Sequence, residues 1–134
     1  MSDLNTSLGH VPTSDKWSFD ESVTDVFDDM LKRSIPQYEV MRKAVLDLAC
    51  QYATPGGYIV DVGCSRGEAI AQLLQTIGAG FHYVGLEVSP PMIEAARERF
   101  QAYQQGIVSL VEQDLRLGYP SGLKNVSVTL CVLT

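Results

Sequence analysis

A chain of 134 residues, 46% hydrophobic and 19% charged, can bury one domain's core and is not a disordered polymer. Its net charge of −6 argues against direct nucleic-acid binding. Apolar runs fall far short of the ~20 residues of a membrane helix, and no basic start leads into an apolar run as in a signal peptide. Cys50, Cys64 and Cys131 form no C-x-x-C pair and have no His at ligand spacing. This predicts a reducing, cytoplasmic setting and no metal site.

Residues 1–16 are polar and read as a flexible arm. Residues 17–53 read as a helical lid region, opened by the aromatic anchor Trp17-Ser18-Phe19. From Asp20, the residues Val23, Phe27, Met30 and Leu31 share one helical stripe. Early acids and the late Lys32-Arg33 suit the helix dipole, and Pro36 stops the helix. Tyr38 to about Tyr52 predicts a second helix with Val40, Ala44, Val45 and Leu48 as its apolar face.

Residues 54–134 read as a core of alternating strands and helices. Thr54-Pro55-Gly56-Gly57 is a turn into a first strand at Tyr58, and a helix follows from Glu68 to about Thr76. A second strand, Phe81 to Glu87, leads into a helix from Pro90 to about Gln104, with Ser89 as N-cap and Pro in the first turn. A third strand spans Ile107 to Glu112, a polar loop Gln113 to Asn125, and a fourth strand Val126 to Leu133. This alternation predicts an α/β fold: a Rossmann-like, doubly wound parallel sheet with right-handed crossovers and helices on both faces.

The turn after the first strand carries the chemistry. It reads Asp61-Val62-Gly63-Cys64-Ser65-Arg66-Gly67. A dinucleotide fingerprint needs a glycine where Ser65 stands, and a Walker-type loop needs a Lys that is absent here. The remaining pattern, D-x-G-x-x-x-G, resembles the first motif of class I S-adenosylmethionine (SAM) methyltransferases. Its bland alternative is a strand–turn–helix corner with glycine used for shape. Glu87 closes the second strand, where a Rossmann-type site accepts hydrogen bonds from ribose hydroxyls, and a carboxylate can take both. Asp114 closes the third strand. No general base stands out: His82 lies inside a strand, His10 in the arm, and Cys64 reads as a small loop filler.

A longer pattern is more specific. Trp17-Ser18-Phe19-Asp20-Glu21, Val26-Phe27, Asp29-Met30, Arg33-Ser34, Pro36 and Tyr38 stand in series. With Gly63-Cys64-Ser65 and Ser89-Pro90-Pro91-Met92-Ile93-Glu94, they resemble the carboxy-SAM synthase family, whose members have the class I methyltransferase fold. The resemblance implies SAM, or S-adenosylhomocysteine, as the ligand. It implies a cofactor site of Tyr38, Asp61, Gly63, Cys64, Ser65, Gly67, Glu87, Val88, Asp114 and Leu115. Tyr38 would reach the ligand from the lid, Gly63, Cys64 and Ser65 would line its methionine part, and Asp61, by the class I motif, would suit the neighbourhood of the SAM ammonium, directly or through the loop. Glu87 and Val88 would lie by the ribose, and Asp114 and Leu115 by the adenine. That family typically has Asp-Asn where Glu87-Val88 stands, and an Asn near the end of strand four, where this chain reads Cys131-Val132-Leu133.

The implied activity is methyl transfer to an unidentified acceptor. The alternatives are carboxy-SAM synthesis from SAM and prephenate, for tRNA wobble-uridine modification, and a SAM-binding fragment without turnover. A small-molecule substrate is the expected partner, with a homodimer as a possible assembly. The family's sheet has seven strands ordered 3-2-1-4-5-7-6, so four legible strands predict truncation after the fourth.

Overall fold

The computed structural model describes residues 21–103 and 106–132. The arm and the Trp17–Phe19 anchor lie outside the described residues. Element order is α1 (Glu21–Ser34), α2 (Tyr38–Tyr52), β1 (Tyr58–Val62), α3 (Glu68–Ile77), β2 (His82–Glu87), α4 (Pro90–Arg99), β3 (Val108–Glu112) and β4 (Val126–Cys131). A 3₁₀ turn, Leu115–Leu117, interrupts the β3–β4 connection. The four strands form one parallel sheet ordered β3-β2-β1-β4.

The register brings the sequence-predicted positions to one end of the sheet. Val62 pairs with Leu86, and Glu87 pairs with Glu112. The loops after β1, β2 and β3 therefore all leave from the carboxyl edge, where open α/β sheets bind ligands.

Period-two alternation sorts the strands onto two faces. Ile59, Tyr83 and Leu130 pack with Ala49 of α2, with Ala69, Ile70, Leu73 and Leu74 of α3, and with Ile93 of α4. Tyr83 and Ile59 are fully buried there. The opposite face is Val60, Val62, Val84 and Leu86, backed by Tyr58, Val111 and Leu123. The described helices α2, α3 and α4 thus lie on one face. The β3–β4 connection carries only the 3₁₀ turn, so it adds no helix to the other face.

Helix α2 is rotated from the face that its aliphatic residues suggest. Val40 and Leu48 are 63% and 56% exposed, while Tyr38 and Ala49 are buried and Val45 half-buried. The inward stripe is Tyr38, Arg42, Val45 and Ala49, at helical spacing of four, three and four. The two faces share Val45, and the observed one is turned by roughly 100° about the helix axis from the expected one, at 3.6 residues per turn.

Candidate functional site

The loop between β1 and α3 is fastened to β2 by backbone. The N–H groups of Gly63 and Cys64 both donate to the carbonyl of Leu86, at 2.8 and 2.9 Å. Gly67 N–H donates to Cys64 O at 2.8 Å and closes the turn. Gly63, Ser65 and Gly67 all have positive φ, at 70°, 53° and 84°. At Gly67 a Cβ would also collide with the Phe100 ring, so left-handed backbone and close packing both demand glycine there. Gly85 serves the same loop from below. A Cβ on it would lie 2.8 Å from Cys64 Sγ and 2.8 Å from a Leu110 methyl, so its absence lets the loop settle on the sheet.

Glu87 locks this arrangement. Its carboxylate accepts Ser65 N–H at 2.9 Å on Oε1, and Val88 and Ser89 N–H at 2.7 and 2.9 Å on Oε2. A carboxylate offers about four acceptor directions. Three are taken, so the buried Glu87 keeps about one, on Oε1, for a further donor.

Two adjoining cavities open beside this loop. The larger, about 600 Å³, lies between Glu87, Val88, Asp114 and Leu115, with Phe27 and Leu86 as apolar walls. The smaller, about 50 Å³, is lined by Tyr38, Arg42, Asp61, Cys64 and Leu130. Phe27, Gly63 and Ser65 line both, so the two form one bent cleft.

The cleft's charges are unequal in setting. Burial raises the Asp61 carboxyl to about 7, opposed by the Arg42 charge and assisted by Glu87. Burial, with Asp61 and Glu87 nearby, pushes the Cys64 thiol well above its usual range, which favours its neutral form. Asp114 accepts the Arg116 side chain on both oxygens, at 3.0 Å from Nε and 2.6 Å from Nη2, and also the Arg116 N–H at 3.0 Å. This local clamp shapes the 3₁₀ turn that presents Leu115 to the cleft. Tyr38 is buried, and its hydroxyl accepts Arg42 Nε–H at 3.0 Å.

Nine of the ten residues anticipated from the sequence thus border one cleft. Gly67 does not; it caps α3 behind the loop. Sequence reasoning misses Phe27, Arg42 and Gly85 as site residues. Phe27 is legible as part of an apolar stripe but not as a cleft wall. The signal for Arg42 is its i+4 spacing from Tyr38. Gly85 stands inside a strand, which marks a close backbone approach. Among the described residues no group of His, Cys, Asp or Glu could hold a metal ion, and no helix is long and apolar enough to cross a membrane.

A carboxy-S-adenosyl-L-methionine synthase of Haemophilus ducreyi is 40% identical over 102 residues, covering 75% of this chain and 42% of that protein. The chain spans about half the length, or less, of the curated relatives it matches. A Methanococcus maripaludis structure, assigned provisionally to the SAM-dependent methyltransferases, superimposes with a TM-score of 0.63 at 17% identity, covering 87% of this chain and 52% of that one. A SAM-dependent methyltransferase of Thiobacillus denitrificans, solved with S-adenosyl-L-homocysteine, gives 0.53 at 19% identity, covering 75% and 44%. These two show a shared fold. A family model described as a methyltransferase domain matches residues 59–133, from β1 past the end of β4 and more than half of the sequence. The chain belongs to the methyltransferase-domain family.

Proposed function

We propose that the cleft binds SAM and that the protein transfers the methyl group to a small-molecule acceptor. The observation that carries this reading is Glu87, a buried carboxylate that fixes the glycine loop and lines the larger cavity. That cavity, walled by Phe27, Leu86 and Leu115, suits an apolar-faced base joined to a hydroxylated sugar. Asp61, at the far bend, suits an ammonium. The donor, when bound, supplies an already activated methyl on its sulfonium. The residues of this chain bind and orient it: Glu87 the ribose, Asp114 and Leu115 the adenine side, Gly63, Cys64 and Ser65 the link to the amino-acid end. Rate enhancement then comes chiefly from alignment of donor and acceptor.

A second reading has its own support, because the relatives 34–40% identical to this chain are carboxy-SAM synthases. SAM is then substrate and prephenate the carboxyl source. A third has the 134-residue chain binding SAM without turnover. Isothermal calorimetry with S-adenosylhomocysteine tests the shared premise. Glu87→Ala should weaken binding roughly ten- to hundredfold, the worth of a charge-assisted hydrogen bond. Unchanged affinity rejects the site. Mass spectrometry with prephenate present then separates the readings. A product heavier by a carboxyl group favours the synthase, S-adenosylhomocysteine with a methylated acceptor favours methyl transfer, and neither favours binding alone.

A further inference from the structure

The small end of the cleft is charged at both signs. Asp61 is 7% exposed and Arg42 half-buried, and both line the same 50 Å³ space beside Gly63 and Ser65. Arg42 acts on the Asp61 charge, yet among the described residues no ion pair within 4.0 Å joins them. They face one cavity without neutralising each other. Arg42 is oriented by Tyr38 on two counts: its Nε–H donates to the hydroxyl at 3.0 Å, and its guanidinium lies 5.5 Å from the ring centroid. One donor of five is thereby used in a held geometry, leaving the Nη fork for a planar anion.

An anchored cation and a buried acid, unpaired across a space of a few water volumes, complement a zwitterion. Its carboxylate would meet Arg42 and its ammonium Asp61. We propose that Arg42 is a specificity-determining residue that selects ligands carrying a free α-carboxylate, with Tyr38 as its positioning residue. This rests on the SAM reading of the cleft and deepens it. It also assigns a role to the lid helix: α2 supplies half of the amino-acid recognition, while the sheet supplies the other half.

Calorimetry on the full chain with two probes tests this. One is S-adenosylhomocysteine; the other is its analogue lacking the carboxylate. The unaltered protein should prefer the first by roughly ten- to hundredfold, as for a bidentate charge-assisted contact. Arg42→Met should abolish that preference while binding the analogue within about twofold of the unaltered protein. Equal affinity of the unaltered protein for the two probes overturns the proposal whatever the variant does. Retention of the preference in Arg42→Met also overturns it, as does an equal loss for both probes. If the unaltered protein binds neither probe, the SAM reading itself has failed, which is a distinguishable result.

Discussion

The Asp61 carboxyl offers the sharpest test of the cleft's electrostatics. Its pKa is raised from 3.8 to about 7 by burial, despite Arg42. In the unfolded chain it ionises near 3.8. Below that pH both states hold the proton. Between about 4 and 7 the unfolded chain has lost it and the folded chain keeps it, so the stability contribution falls as pH rises. Above 7 the loss is complete. About three pH units at roughly 1.4 kcal/mol each give a ceiling of ~4 kcal/mol. Asp61→Asn cannot titrate and escapes this loss. Urea unfolding of both proteins from about pH 4 to about pH 8 isolates it, because other carboxylates cancel in the difference. The account predicts that Asp61→Asn gains on the unaltered protein through this window, by up to about 4 kcal/mol, and then levels off. Parallel stability curves would refute the buried setting of Asp61 and the charge balance drawn from it.

Glu87→Gln replaces one acceptor oxygen by an NH₂ facing backbone N–H donors. It should cost about 1.5–3 kcal/mol and speed hydrogen exchange at Ser65, and unchanged Ser65 protection would dissociate Glu87 from the loop. Gly67→Ala meets the Phe100 ring and a φ of 84° at once, so chemical denaturation should show a loss of about 2–4 kcal/mol. Iodoacetamide at about pH 8 should alkylate the exposed Cys131 and spare the buried Cys64 in the folded protein, as peptide mass mapping can read.

Much of the fold is legible in the sequence for a local reason. The four strands and the placement of Asp61, Gly63, Glu87 and Asp114 follow from short patterns whose period and punctuation survive any tertiary context, while the order β3-β2-β1-β4 is what the resemblance to class I methyltransferases implies. Helix ends are less so. The helix expected to reach about Gln104 ends at Arg99, with Phe100 as its C-cap, because Phe100 turns into the core beside Gly67. Two misreadings share one cause. Apolarity alone assigns the wrong face to α2 and passes over Arg42, because burial of its stem beside Tyr38 depends on a cavity that no sequence window shows. The engagement of Glu87 by the loop is likewise invisible in the sequence, since three of its acceptor directions are used by backbone groups up to 22 residues away. The series from Trp17 to Tyr38 points to carboxy-SAM synthases through residue identities alone, and relatives of that name match the chain over about half of their own length or less.

The central claim is that the cleft between the glycine loop and the two strand-ending acids is the seat of an adenosine joined to an amino acid. A crystal structure of the protein grown with S-adenosylhomocysteine tests this most directly. The account predicts density along the bent cleft, with the ribose at Glu87 and the amino-acid end at Asp61. Density elsewhere on the molecule, or an ordered ligand reaching neither acid, would contradict it.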